Sequence, residues 1–211
     1  MKNVLILGAG GQIARHVIDR LADEQSLVQT LFARRPEKIR SRPANGRILI
    51  GDVLNPSALK QAMQSQDLVY ANLTGEDLDV QAEAVIAAMQ ASDVKRLIFV
   101  LSLGIYDEVP GKFGEWNNAI IGEPLKPFRR AADAIEASGL DYTILRPAWL
   151  TDEDQVDYEL TARNAPFKGT IVSRKSVAAL IADIIEQPKK HLGGNIGVNQ
   201  PGTDGDKPYF M

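Results

Sequence analysis

Three small residues at intervals of three, Gly8, Gly11 and Ala14, give the sequence its first chemical signal. They stand in GAGGQIA, directly after the apolar run from Val4 to Leu7 and at the start of an amphipathic helical segment. Glycines at such a junction let the backbone turn tightly and approach a phosphate, whose charge the helix N-terminus stabilises. This context favours a dinucleotide pyrophosphate site over a plain tight turn. The residues predicted to form it are Gly8, Gly10, Gly11, Gln12, Ile13 and Ala14.

Two arginines follow the second apolar run and bear on which dinucleotide is bound. A site for NAD usually carries an acidic residue here, about 20 residues beyond the glycines, to bind the ribose 2′-hydroxyl. This chain has Arg34 and Arg35 instead, with no carboxylate before Glu37. Guanidinium groups pair with a 2′-phosphate, which a carboxylate would repel. The pattern predicts NADP(H) in preference to NAD(H), and the alternative is a solvated basic turn.

The ends of the next two apolar runs carry further candidates for the same site. Asp52 and Val53 follow the third run, where a carboxylate can reach the adenine amino group. Asn72, Leu73 and Thr74 follow the fourth run, where backbone and amide groups can line the cofactor. Ligands of parallel sheets bind at the carboxyl ends of the strands, so these positions should converge with the glycines.

Short apolar runs alternate with helical periodicity along the chain, and this alternation predicts the elements that position the candidates. The runs are nearly all apolar, as in strands covered on both faces. One intervening segment places Val80, Ala84, Val85, Ala88 and Met89 on one helical face. We predict an α/β fold, a single-domain Rossmann-type doubly wound parallel sheet with helices on both faces, over residues 1–211. The predicted strands are Val4–Leu7, Leu27–Phe32, Arg47–Ile50, Leu68–Ala71, Leu97–Leu101 and Tyr142–Leu145.

Composition argues against several classes of function. The chain has 211 residues, 45% of them hydrophobic, which suffices for one well-buried domain. It has no cysteine, which excludes disulfides and thiol catalysis, and no histidines at a spacing typical of a metal site. A net charge of −3 without a basic stripe argues against nucleic acid as a partner. The first apolar run is too short for a signal peptide or a membrane span, so we expect a cytoplasmic protein.

Together the motifs resemble the atypical short-chain dehydrogenases with an NAD(P)H-binding domain, including the NmrA-like proteins and the flavin/biliverdin reductase group. The resemblance rests on GAGGQIA, the pair Arg34–Arg35, GDV at 51–53 and SGLDYTILRPAWLTD at 138–152. It implies a Rossmann-type sheet with NADP(H) across its carboxyl edge, and it places Pro147, at the end of a strand, near the nicotinamide. Because the family contains both reductases and cofactor sensors, the resemblance leaves the reaction open.

Catalytic short-chain dehydrogenases use a tyrosine and a lysine four residues later, whose ammonium group lowers the pKa of the phenol. Tyr106 is followed at that spacing by Pro110, and no other tyrosine of the chain is followed there by lysine. Where the family resemblance would place the pair, the chain reads EPLKPFRRAADA, without a tyrosine. The sequence therefore predicts a site that lacks this pair.

The stretch after the fifth apolar run supplies candidates for the acceptor side. Ser102 is predicted to contact the nicotinamide or the acceptor, as a cofactor-binding and catalytic residue, or else to cap the turn before Gly104. Residues 104–127 are longer than an ordinary connection and are predicted to be a lid, with a structured surface excursion as the alternative. Aromatic side chains could form the wall of a pocket for a flat acceptor, or only pack a loop onto the sheet. They are Tyr106, Phe113, Trp116 and Trp149.

These features predict an NADP(H)-binding oxidoreductase that reduces a small flat or carbonyl acceptor without the tyrosine–lysine pair. The cofactor carries the hydride chemistry, and protons can come from water when the acceptor is a flavin or a quinone. The alternative is a non-catalytic redox sensor that binds the dinucleotide and acts through a protein partner. A nucleotide-sugar epimerase or dehydratase is disfavoured, because that chemistry depends on the missing pair. No metal, nucleic-acid or membrane partner is predicted.

Overall fold

A computed structural model describes residues 1–211 and confirms the predicted α/β class. Ten strands and six helices follow one another along the chain, with a short 3-10 turn at Pro36–Lys38. The strands are β1 (Lys2–Leu7), β2 (Leu27–Ala33), β3 (Gly46–Ile50), β4 (Leu68–Ala71), β5 (Arg96–Val100), β6 (Asp141–Pro147), β7 (Trp149–Thr151), β8 (Glu159–Thr161), β9 (Ile171–Ser173) and β10 (Gly194–Asn199). The helices are α1 (Gln12–Arg20), α2 (Pro56–Met63), α3 (Leu78–Ala91), α4 (Gly111–Ile121), α5 (Lys126–Ala137) and α6 (Arg174–Glu186).

The main sheet has eight strands in the order β3-β2-β1-β4-β5-β6-β10-β8. All neighbours pair in parallel except β8, which runs antiparallel to β10 at the edge. The chain winds outward from β1 to β3 and then crosses to β4 on the other side of β1. Between β1 and β4 the winding direction therefore reverses, and parallel sheets of this kind bind ligands at the carboxyl edge beside that reversal.

Helices cover both faces of the sheet, which is why its strands are almost entirely apolar. One face packs against α1 and α6, and the opposite face packs against α2, α3 and α5. Leu5 and Ile6 of β1 belong to different cores, because successive side chains of a strand point to opposite faces. The central strands are fixed from both sides, so the residues at their carboxyl ends are rigidly placed.

The segment between β6 and α6 differs from the sequence prediction, since it contains three strands that were not expected. Strands β7 and β9 pair in parallel as a separate two-stranded sheet, and β8 joins the edge of the main sheet. Each has three residues, which is too short to show the periodicity that predicts strands. The predicted purely parallel sheet is therefore parallel except at this edge.

The buried face of α3 also differs from the prediction. Val80 is 51% exposed, whereas Gln81 is buried. Gln81 turns inward because its Nε2 donates hydrogen bonds to the Thr74 carbonyl at 3.2 Å and to Asp77 Oδ1 at 2.7 Å. The face that packs on the core consists of Leu78, Gln81, Ala82, Val85, Ile86 and Met89.

The buried side chain of Arg96 connects the strands at the amino edge of the sheet, on the half that contains β5, β6 and β10. The guanidinium of Arg96, at the start of β5, donates to the carbonyls of Pro188 (2.7 Å), Lys190 (3.1 Å) and Asp141 (2.9 Å) and to Thr143 Oγ1 (2.7 Å). Burial lowers the pKa of Arg96 to about 10, so the group stays charged at neutral pH. One side chain thus connects the starts of β5 and β6 to the turn that precedes β10.

The segment 104–127 contains a helix, α4, and ends in the first turn of α5. Pro127 lies in that first turn, where proline needs no hydrogen-bond donor. The predicted long connection therefore consists of a short loop, the helix α4 and a turn that leads into α5. No helix in the structure combines the length and apolarity needed to span a membrane.

Candidate functional site

A cavity of about 330 Å³ lies at the carboxyl edge of the sheet, across the reversal between β1 and β4. It is lined by the segments that follow β1, β2, β3 and β4, which is where the sequence placed its candidates. The structure thereby brings most of the predicted cofactor residues into one site. Those lining the cavity are Gly8, Gly10, Gly11, Gln12, Arg34, Arg35, Asp52, Val53, Asn72, Leu73 and Thr74.

The glycine loop is shaped by its contact with the end of β4. Gly8 has a φ of +72°, in the left-handed region, and a Cβ there would overlap the backbone carbonyl of Asn72. Gly11 has an ordinary φ of −74°, but a Cβ on it would overlap the Asn72 side-chain amide. Glycine is required at position 8 for both conformation and space, whereas a side chain at position 11 would force the Asn72 amide to move.

The N-terminus of α1 presents free hydrogen-bond donors to the cavity. Gly11 caps the helix without a side-chain hydrogen bond, and the first turn contains no acidic residue. The backbone N–H groups of Gln12, Ile13 and Ala14 have no partner in the protein. The side chains of Ile13 and Ala14 are buried, so these two residues can contribute only their backbone. Unpaired donors at the positive end of a helix suit a phosphate group.

Cationic side chains surround the end of the cavity next to β2. Arg34 and Arg35 follow that strand and are both exposed. Arg34 lies 3.6 Å from Asp52 Oδ2, an exposed pair that costs little to open for a ligand. Lys38 also lines the cavity, beside Gly10, and sequence reasoning missed it. A signal was present, because Lys38 is the third cation within five residues.

Four further lining residues were not predicted: Phe32, Ala33, Gly51 and Gln81. Phe32 and Ala33 end β2 and Gly51 follows β3, so these three lie one or two positions before the predicted candidates. Gly51 sits against the Phe32 ring, 2.6 Å from where its Cβ would be, so the strand ends pack closely. Gln81 reaches the cavity from α3. It was not predicted, because the sequence pattern indicated a different buried face for that helix. Together the glycines, the free N–H groups and the cations fit a dinucleotide.

Ser102 and Pro147 do not line this cavity, although they lie at the same edge of the sheet. They follow β5 and end β6, on the side of β4 away from the arginines. Hydrogen bonds from Leu101 N to the Leu145 carbonyl and from Leu103 N to the Pro147 carbonyl hold the Ser102 backbone beside β6. Ser102 is half-buried and its hydroxyl makes no hydrogen bond within the protein, so it does not cap the turn before Gly104.

The predicted aromatic wall is wrong as a single surface. Trp149 and Trp116 are 5.0 Å apart between ring centroids, and Phe113 lies 6.1 Å from Trp116. These three pack on the face of the sheet covered by α1 and α6, whereas Tyr106 packs on the opposite face. The sequence could not separate them, because the loop after β5 passes from one face to the other.

Tyr106 belongs to a different cavity, of about 510 Å³, that shares no residue with the first. Its hydroxyl accepts a hydrogen bond from Asn195 Nδ2 at 2.7 Å, and the guanidiniums of Arg163 and Arg129 lie 4.1 and 4.7 Å from its ring centroid. Burial raises the pKa of the Tyr106 phenol, with the nearby Glu136 carboxylate adding to the effect. Its position, outside the dinucleotide cavity, does not suit a proton donor there.

An ion pair between Arg146 and Glu108 fixes the loop after β5. Arg146 of β6 is fully buried and pairs with Glu108, whose side chain is only 5% exposed. The Glu108 carboxylate also accepts hydrogen bonds from the backbone N–H groups of Gly104 (3.1 Å) and Tyr106 (2.9 Å). The arginine of the Arg146–Pro147 motif therefore holds the backbone that follows Ser102.

Comparison with known proteins gives the chain a family. A family model described as NAD(P)H-binding matches residues 8–188. A structure of a Rossmann-fold NAD(P)-binding family protein from Shigella flexneri is 74% identical, with a TM-score of 0.88 and all of both chains covered.

Two more distant relatives bear on the ligand and on the reaction. A short-chain dehydrogenase/reductase from Veillonella parvula, solved in complex with NADP, is 30% identical, with a TM-score of 0.89 and 99% of each chain covered. A protein of Bacillus subtilis, described as the uncharacterized sugar epimerase YhfK, is 28% identical over 97% of this chain and 95% of its own length.

Proposed function

The chain belongs to the NAD(P)H-binding family, as its resemblance to the atypical short-chain dehydrogenases predicted, and on that premise we propose that it is an NADPH-dependent reductase of a small planar or carbonyl acceptor. The observation that carries the proposal is the single cavity in which an uncapped helix N-terminus meets two arginines. The first suits a pyrophosphate, and the second suits the extra phosphate that distinguishes NADPH from NADH.

Specific residues would hold each part of the cofactor. The N–H groups of α1 and the glycine loop would bind the pyrophosphate, and Arg34 and Arg35 would bind the 2′-phosphate, with Lys38 beside them. The only carboxylate that lines the cavity is Asp52, which already faces Arg34. The Veillonella parvula relative was solved in complex with NADP, which supports NADP(H) as a ligand here.

When bound, NADPH supplies a hydride, and the rest of the work falls to the chain's own residues. The glycine loop and Asn72 would fix the cofactor backbone. Ser102, free of protein hydrogen bonds and held in place by the Glu108–Arg146 pair, would orient the nicotinamide side or the acceptor. No tyrosine lines the cavity, so the proton that completes reduction would come from water.

The cofactor preference is tested by replacing Arg34 and Arg35 with aspartate. We expect NADPH to bind wild-type protein more tightly than NADH, and the double variant to lose that preference, because carboxylates repel a 2′-phosphate. Calorimetric titration with each nucleotide measures the ratio. A matched control is Arg40→Asp with Arg42→Asp, which makes the same charge change at exposed positions outside the cavity. An unchanged NADPH/NADH ratio in the first variant would overturn the assignment.

Catalysis is tested by NADPH oxidation with a panel of flavin, quinone and aldehyde acceptors. Turnover that falls in Ser102→Ala would establish a reductase and place Ser102 in its site. Trp149→Ala is the companion variant for the aromatic cluster. Equal turnover in both variants and wild type would contradict a role for these residues at the acceptor.

The rival function is a redox sensor that binds the dinucleotide and acts through a protein partner. The absence of any tyrosine from the cavity lining favours it, because the site then lacks the usual proton donor of catalytic relatives. Tight NADPH binding without turnover on any acceptor would favour the sensor. The same absence argues against epimerase chemistry of the kind named for the Bacillus subtilis relative.

A further inference from the structure

A third cavity, of about 540 Å³, adjoins the dinucleotide cavity and lies between the loop after β4 and the junction of α4 with α5. Thr74 lines both cavities. We propose that this is the acceptor site and that Glu76 and Glu123 select planar acceptors that carry no anionic group. The inference rests on the proposed reductase function and adds the class of acceptor.

The order of the strands places this cavity at the nicotinamide end of the cofactor. The arginines follow β2, on one side of β1, and the phosphate-binding helix follows β1 itself. A dinucleotide with its 2′-phosphate at the arginines and its pyrophosphate at α1 must continue toward β4, on the other side of β1. Thr74 follows β4, and the third cavity begins there. The reactive end of the cofactor and the acceptor would thus meet at Thr74.

The floor of the cavity is apolar and suits a flat ring. Pro127 is buried, and the Phe128 ring is half-buried against the core beneath α5. Pro124 adds a third rigid apolar surface from the turn before that helix. Pyrrolidine and phenyl faces offer contact area without hydrogen-bond donors, so they bind a planar molecule by its faces.

Both charged residues that line the cavity are acidic, and each neighbouring cation is paired with a carboxylate. Glu76 is exposed and has neither a hydrogen bond nor an ion pair, while Glu123 pairs with Lys126 at 2.7 Å. The two arginines at the start of α5 are also paired, Arg129 with Asp133 and Arg130 with Asp79. No cationic side chain lines the cavity itself. A phosphate or carboxylate on the acceptor would meet the Glu76 carboxylate, which no cation offsets, and the Glu123 carboxylate, which only the exposed Lys126 offsets.

Riboflavin and flavin mononucleotide test this inference, because they share one ring system and differ only by a phosphate. The first readout is quenching of riboflavin fluorescence by the protein saturated with NADP⁺, which requires no turnover. The second is kcat/KM for each flavin with NADPH at low salt. We expect riboflavin to be favoured about tenfold, a modest factor because the carboxylates are exposed. Glu76→Gln with Glu123→Gln should bring the ratio close to one.

Glu83→Gln is the control, since Glu83 is exposed on α3 and lines neither cavity. It should leave the ratio at the wild-type value. Equal use of the two flavins by wild type, a ratio unaffected by the double glutamine variant, or no riboflavin binding would each overturn the inference. Binding that discriminates between the flavins without any turnover would instead retain the site and its selectivity while rejecting the reductase function.

Discussion

Asn72 lies over the glycine loop from the neighbouring strand, and its backbone and side chain set the space available to two different glycines. The carbonyl restricts position 8 and the amide restricts position 11. The loop can therefore lie this close to the end of β4 because both positions lack a side chain. The shape of the site depends here on the absence of a Cβ atom at Gly8 and at Gly11.

Replacing Gly11 with valine tests that dependence. The new side chain would collide with the Asn72 amide and fill the approach to the helix N-terminus, so we expect NADPH affinity to fall by at least about a hundredfold. Fluorescence titration with NADPH measures the affinity. Far-ultraviolet circular dichroism must first show an intact fold. Near-wild-type binding by a folded variant would rule out this loop as the phosphate site.

Glu136 gives a prediction about pH. Burial alone would raise the pKa of this carboxyl, but hydrogen bonds from Arg163 and Asn195 outweigh burial and lower the pKa from an ordinary value of 4.5. A carboxylate with a lowered folded-state pKa stabilises the fold above its unfolded pKa, and this contribution is lost as pH falls through the folded-state pKa.

We therefore expect Glu136→Gln to be less stable than wild type at pH 7, with the difference narrowing as pH falls below about 4.5. Urea unfolding at a series of pH values measures both proteins. Asp133→Asn, an exposed neighbour on α5, provides the comparison. A difference that stays constant down to pH 3 would show that the Glu136 charge contributes nothing.

Single residues were predictable where the reason for them is local. The glycines and the pair Arg34–Arg35 could be recognised because their spacing follows a strand directly. Glu108 could not, since its partner Arg146 is distant in sequence and only the sheet brings them together. Tyr106 was placed with the wrong neighbours for the same reason.

At the scale of elements, α4 and its aromatic contact determine whether 104–127 acts as a lid. Trp149 Nε1 donates a hydrogen bond to Asn117 Oδ1 at 2.8 Å, and the Trp116 ring packs beside it. These two contacts link the helix to the strand pair β7–β9 at the functional edge of the sheet. A lid in this position would have to break them on opening.

Trp149→Phe keeps an aromatic ring against Trp116 but removes that hydrogen bond together with part of the indole ring. We expect amide hydrogen exchange to quicken in residues 111–121 and to stay unchanged in β1 and β4, with a stability loss of about 1 kcal/mol. Hydrogen exchange followed by mass spectrometry measures the exchange rates in α4 and in the two strands. Exchange that rises equally across the chain would mean that α4 has no independent motion, and the lid prediction would fail.

The elements themselves were predictable to the extent that they are long and buried on both sides. The six predicted strands all exist, and Leu68–Ala71 has the predicted bounds. Strands β7, β8 and β9 escaped because three residues carry too little pattern. The face of α3 was misread because a glutamine with a partner on the preceding loop packs inward as an apolar residue would.

For the whole molecule, the cofactor should contribute to stability. The proposed ligand binds only the folded chain, so at a hundred times its Kd it adds about 2.7 kcal/mol. In a protein of this size that amount corresponds to a rise in Tm of about 5–10 °C. Thermal unfolding with NADPH and with NADH at equal concentration measures the effect. A larger shift with NADH would contradict the preference proposed for Arg34 and Arg35.

The hydrogen bonds of Arg96 separate the part of the molecule that maintains the fold from the part that can vary. It secures β5, β6 and the approach to β10 at the amino edge, whereas both proposed ligand cavities open at the carboxyl edge. Substitutions at the exposed positions Thr74, Glu76, Glu123 and Pro124 can therefore alter the proposed acceptor site without entering the Arg96 network or the hydrophobic core. A randomised library confined to those four positions should yield mostly folded variants, whereas one that includes position 96 should not. Such an arrangement would let the proposed acceptor site change one substitution at a time.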